Sequence, residues 1–182
     1  MKARLTLLIP LVLLAVALSP ISLARAESAG GVSWTAPTGW KAQRQRPMRA
    51  ATYTVPAVEG DSEDGECGVY YFGAGGAGGI EANVKRWIGQ FRAPDGGPAD
   101  QLARRAGENI NGIAVTTLDV AGTYLVKPFP RAPRAIPKPG YRMLAAIVGA
   151  PEGTVFFKLT APEKTASAAE SDFRRMLQLL RQ

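Results

Sequence analysis

Residues 141–159 read YRMLAAIVGAPEGTVFFKL. Two apolar runs, Tyr141 to Val148 and Thr154 to Leu159, flank the turn-forming triplet Pro151-Glu152-Gly153. A connection this short joins antiparallel neighbours, because parallel strands need a crossover of a dozen residues or more. Upstream the pattern repeats. Residues 102–109 and 113–126 read as strands separated by Asn111-Gly112, the strongest two-residue hairpin signal. The sheet is therefore expected to be antiparallel.

Further toward the N-terminus, Met48 to Val55 is rich in strand formers and stops at Pro56. Gly68 to Phe72 is the next strand, and 52–58 is expected to pair with 67–72 across an acidic loop, Glu59 to Glu66. After the glycine-rich stretch Gly73 to Gly79 the period changes. Ile80, Val84, Trp87, Ile88 and Phe91 form one apolar stripe of a helix, with Lys85, Arg86 and Arg92 mostly off it. Pro94, Gly96, Gly97 and Pro98 break that helix. Residues 127–140 hold five prolines and four basic residues, and read as an exposed, extended loop. The chain ends in a second helix whose inner face carries Ala169, Phe173, Met176, Leu177 and Leu180. Ser167 and Glu170 can form its capping box, or the helix can start nearer Thr165. The expected fold is a single α+β domain, an antiparallel sheet of about six strands packed with helices.

Lys2 and Arg4, the uncharged run Leu5 to Leu18, and Ala24-Arg25-Ala26 have the order of a secretory signal peptide. The apolar run contains Pro10 and is too short to cross a bilayer, which takes roughly 20 residues. The expected organisation is residues 1–26 as signal, 27–31 as a flexible lead-in and 32–182 as the domain, exported to the periplasm or secreted, with no transmembrane segment in the mature form. Cleavage removes Lys2, Arg4 and Arg25 and no acid, so the formal charge of +7 falls to +4, with 19 basic against 15 acidic residues. That balance is too weak to argue for nucleic-acid binding. Cys67 is the only cysteine, so the fold has no internal disulfide, and its strand context predicts burial. Histidine is absent. The usual general base, the commonest zinc ligand and every Ser-His or Cys-His pair go with it.

Several stretches form a set: Trp34…Pro37-x-Gly39-Trp40, then Met48-Arg49-x-Ala51-Thr52-Tyr53, then Val155-Phe156-Phe157-Lys158-Leu159-Thr160 before a helix with Phe173…Met176-Leu177. The set resembles the PsbP/Mog1-like superfamily over nearly the whole mature chain. Within it, Asn83-Val84-x-Arg86-Trp87-x-Gly89-Gln90-Phe91 looks like a motif of uncharacterised exported bacterial proteins. The resemblance implies an antiparallel sheet between helices and a habit of binding macromolecules, such as a photosystem or a small GTPase. It implies no reaction, and fold analogy does not license one.

Gly73-x-Gly75-x-x-Gly78 has the spacing of a dinucleotide fingerprint, but its hairpin flanks lack the β-α-β unit that makes the motif work. Amides at the start of the following helix can hold an anion. Glu59, Asp61, Glu63, Asp64 and Glu66 supply calcium-type oxygens without the EF-hand spacing, since Asp64 and Tyr70 stand where glycine and glutamate are needed. No metal site and no cofactor are expected. Asn83, Arg86 and Gln90 make a polar strip beside the helix stripe and are the candidate ligand-binding residues. Lys127, Arg131, Arg134 and Lys138, interleaved with prolines, are the candidate partner-binding loop, suited to an envelope protein or an anionic surface. The three tryptophans are expected in the core. The function these features favour is an exported, non-catalytic accessory protein that binds a protein or small ligand in the cell envelope. The alternatives are an envelope hydrolase with paired carboxylates, Asp95 or Asp100 among them, and a calcium- or anion-binding module.

Overall fold

Asn111 and Gly112 have φ of 52° and 84°, the doubly positive backbone that a two-residue hairpin turn requires. The computed structural model that shows this describes residues 26–76, 78–127, 129 and 132–182. The leader, apart from Ala26, and Arg131 lie outside the described residues. In chain order the strands are β1 (Ala26–Ala29), β2 (Val32–Thr35), β3 (Lys41–Ala42), β4 (Ala51–Val55), β5 (Gly65–Tyr71), β6 (Phe91–Arg92), β7 (Arg104–Ile110), β8 (Ile113–Val126), β9 (Ile136–Ala150) and β10 (Gly153–Pro162). Two helices, α1 (Ile80–Ile88) and α2 (Glu163–Gln178), accompany them.

The main sheet runs β3-β4-β5-β10-β9-β8. The outer edge of β8 is shared, with β7 along Ile113–Asp119 and β6 at Thr123–Tyr124. All of these pairings are antiparallel. The sheet register shifts between Gly122 and Tyr124, where Gly122 has φ +149°. A Cβ there would sit 2.4 Å from the Arg92 carbonyl oxygen, so glycine is what lets β6 close on the sheet.

Alternation along β10 divides the interior. Val155, Phe157, Leu159 and Ala161 belong to one core, roofed by α2 and β2, whereas Phe156 belongs to another, roofed by α1 and the chain around Phe91 and Ala99. Trp34 meets Phe157 edge-on at 5.3 Å, and Trp87 meets Phe156 edge-on at 5.8 Å. Each fully buried large apolar side chain stabilises the fold by about 2 kcal/mol, so β10, buried on both faces, anchors both cores.

The structure corrects four readings. The chain has ten described strands rather than six, in sheets of two and eight. The added strands are two to four residues long, too short to show a period. Residues 27–31 are no flexible lead-in: β1 pairs with β2 around Gly30-Gly31, and Glu27 accepts a hydrogen bond from the Tyr53 hydroxyl. Two adjacent glycines at φ 62° and 81° make a tight turn here. Residues 136–140 are not loop but the start of β9, paired with Tyr124–Val126. Pro137 and Pro139 fit because β10 stops opposite Tyr141, leaving this stretch with a ladder on one side. Finally, α1 ends at Ile88: Phe91 is buried in β6, and Ile80 is 44% exposed.

The α2 capping box is also replaced. Asp61, from the β4–β5 loop, accepts hydrogen bonds from the Thr165 N–H (2.8 Å) and hydroxyl (2.6 Å), so a residue 104 positions away caps the helix. Glu170 and Ser167 instead bond Arg142. Asp61→Ala leaves two buried donors without an acceptor, and is expected to lower stability by about 1–2 kcal/mol. Urea unfolding checks this through a lower midpoint at unchanged slope. Asp61→Asn, which keeps an acceptor, is expected to cost less.

Candidate functional site

Lys158 interrupts an otherwise apolar strand. On β10 it shares a face with Phe156, beneath the C-terminal end of α1, and its ladder neighbours are Gly68 on β5 and Ala145 on β9. Its ammonium donates to Gln90 Oε1 at 2.5 Å and lies 5.4 Å from the centre of the Tyr124 ring. Burial, and then the nearby Arg86 and Arg49 guanidiniums, push its pKa from the ordinary lysine value down to about 8.

Arg86 is held from its own helix. Its Nη2 donates to Asn83 Oδ1 at 2.5 Å, and the Asn83 amide donates to the Gly79 carbonyl at 3.0 Å. Asn83 is only 2% exposed, so it serves as a strut and Arg86 as the accessible group. Arg49 reaches in from the β3–β4 connection, donating to Glu66 Oε1 at 2.6 Å and lying 5.1 Å over the Tyr70 ring. Glu66 also accepts from Arg46 at 2.9 Å. The one acid beside the cluster is thus divided between two arginines. Among the described residues no carboxylate lies within ion-pair distance of Lys158 or Arg86. Tyr70 folds back over Gly68, where a Cβ would come within 2.7 Å of its hydroxyl. Burial raises the pKa of both Tyr70 and Tyr124, keeping them neutral aromatic walls.

Of the three expected ligand-binding residues, Arg86 and Gln90 meet at this cluster and Asn83 stands behind them. Lys158, Arg49, Tyr70 and Tyr124 went unread in the sequence. For Lys158 a usable sign existed: strand parity places it beside Phe156, on a side where a cation is unexpected.

The other candidates disperse. Lys138 pairs with Glu63 and donates to the Tyr141 hydroxyl, while Lys127 and Arg134 are exposed. The acidic loop does not form an oxygen cage. Asp61 caps α2, Asp64 accepts from the Ala57 N–H, Glu63 holds Lys138 and Glu66 holds the arginines. Asp95 accepts from the Gly97 N–H within its own turn, and Asp100 opens a short 3₁₀ turn. Gly73 and Gly75 lie in a turn after β5, closed by the Gly76 N–H on the Gly73 carbonyl, and the neighbours of β5, β4 and β10, are antiparallel to it. Trp34 and Trp87 are buried in separate cores, and burial pushes the Cys67 thiol pKa up, leaving it inert.

A groove of about 400 Å³ lies on the opposite face of the sheet, between α2 and β7. Arg142 lies in it, with Asp119 bonding it through two oxygens at 2.8 Å and Glu170 at 2.7 Å. These carboxylates converge on a cation rather than on open space, an arrangement that holds α2 to the sheet.

No protein-family model matches the chain, and no curated protein matches it. Solved structures of similar shape include PA94 of Pseudomonas aeruginosa, a protein of unknown function. It is 13% identical with a TM-score of 0.48, covering 87% of this chain and 96% of that one. Another is the solution structure of cyanobacterial PsbP from Synechocystis sp. PCC 6803, 15% identical with a TM-score of 0.49, covering 92% of this chain and 98% of that one. Likeness at this identity concerns the fold alone and transfers no ligand, partner or reaction.

Proposed function

We propose that this chain is an exported, non-catalytic binding protein of the cell envelope that takes a small oxyanion, a carboxylate or phosphate, between Lys158 and Arg86. The observation that supports this reading is the pair of cations at the C-terminal end of α1, Arg86 on the helix and Lys158 on the strand beneath, with no carboxylate of their own among the described residues. The Lys158 ammonium has three donors, and Gln90 takes one of them. Asn83 fixes Arg86, so its guanidinium loses little freedom when an oxyanion docks. Tyr70 and Tyr124 supply neutral aromatic walls. The cluster lacks a nucleophile paired with a base, which favours binding over turnover.

Titration calorimetry with acetate, benzoate and inorganic phosphate tests the reading. At least one is expected to bind, with affinity falling roughly tenfold in Lys158→Met. Affinity is also expected to drop as pH rises through 8, because the ligand needs the protonated amine, by up to about tenfold per unit. Equal binding by the variant, or no pH dependence between 7 and 9, overturns the site.

Stability supplies an independent check. The Lys158 pKa is depressed in the fold, so between about pH 8 and its unfolded value of 10.5 the unfolded chain holds more protons. Stability therefore rises with pH across that window, and below it the full cost of a half-buried cation applies. Lys158→Met is expected to be more stable than the parent at pH 7 by about 2 kcal/mol. The gap should narrow toward pH 10, as followed by thermal melts of both proteins.

A further inference from the structure

β7 is the outer strand along half of β8, and nothing among the described residues pairs with its other side. Its seven residues pair with β8 in unbroken register, from Arg104↔Asp119 to Ile110↔Ile113, with no bulge and no proline. All but Ile110 are exposed. Sheet edges are usually blunted by a bulge, a proline, a covering element or charged side chains, and β7 carries only the last, in Arg104, Arg105 and Glu108. In a hairpin closed by a two-residue turn, the residues flanking the turn exchange both hydrogen bonds. Ile110, Glu108, Ala106 and Arg104 therefore bond toward β8, and the N–H and C=O groups of Arg105, Gly107 and Asn109 face outward.

We infer that this edge is where a second copy of the chain docks, two β7 strands running antiparallel about a two-fold axis through Ala106. The charge pattern selects that partner and that register. Arg104 and Glu108 lie on one face, equidistant from Ala106, and neither has an ion-pair partner among the described residues. The two-fold sets Arg104 of one copy opposite Glu108 of the other, twice, where opposite charges on directly facing residues stabilise a sheet. It sets Arg105 opposite Gly107, so the outward-facing backbone groups of both meet as hydrogen-bonded pairs. A slip of two residues in one direction brings Arg105 against Arg105; a slip in the other separates Arg104 from Glu108. Such an isologous contact closes as a dimer and leaves no free β7 edge.

Sedimentation equilibrium of the whole chain from about 5 µM to 500 µM tests this, in the affinity range of small interfaces. A concentration-dependent dimer is expected. Glu108→Arg places only cations at the junction and is expected to weaken it at least roughly tenfold, whereas Arg104→Glu with Glu108→Arg swaps the pairs and is expected to restore it. These side chains are exposed, so at concentrations where the parent is monomeric the variants should keep its melting temperature. Amide hydrogen exchange on the unaltered chain gives a second reading: Arg105 and Gly107 should be protected at high concentration and exposed at low. A monomer throughout, a dimer indifferent to Glu108→Arg, no rescue by the double swap, or fast exchange at 105 and 107 in concentrated protein each overturns the inference. A monomer whose β7 instead takes up a strand of another protein does so as well.

Discussion

β10 is the constraint on which the rest of the structure depends. It lies between β5 and β9 and contributes to cores on both faces of the sheet. Phe157 supports Trp34, and through it the hydrogen-bond chain from Trp34 Nε1 to the Tyr53 hydroxyl (2.8 Å) and on to Glu27. Phe156 supports Trp87 and hence α1. A strand buried on both faces should be apolar throughout. Residues 155–159 obey that rule at every position but Lys158, and the proposed binding site grows from that exception.

The two faces handle charge differently. On the α2 face, Arg142 bonds Asp119 and Glu170, and Arg174 adds to Glu170 from one turn along. Each partly buried charge there has an opposite partner, the condition under which such groups are tolerated. On the α1 face, Lys158 is answered by a neutral amide and by two further cations. One arrangement ties a helix down. The other is electrostatically incomplete.

The hairpins were legible because their turns are local: Asn111-Gly112 and residues 151–153 carry their geometry in adjacent side chains. The middle of the α1 stripe, Val84 and Trp87, and the inner face of α2 were legible for the same reason, through a period that recurs within a few residues. β3 and β6, at two residues each, are products of the sheet they join and have no pattern of their own. The Asp61–Thr165 cap spans 104 positions and the Lys158–Gln90 bond spans 68, so neither leaves a trace in spacing. Arg86 and Gln90 were found because they lie four residues apart, on α1 and in the turn just past its end; Arg49 and the two tyrosines were missed because three separate segments bring them in.

A purely structural account of Lys158 has to make its hydrogen bond to Gln90 the reason it is there, fastening the chain after α1 to the sheet. A neutral donor would do that without the penalty of removing an ammonium from water. Arg86 and Arg49 make the cation a still worse choice, since their fields act against it and, with burial, bring its pKa down to about 8. An arriving anion reverses every one of these terms. It compensates the desolvated ammonium, turns two repulsive neighbours into a shared attraction, and takes up hydrogen bonds that Gln90 leaves unused. That balance, costly when empty and favourable when filled, is the physical ground of the proposed anion site.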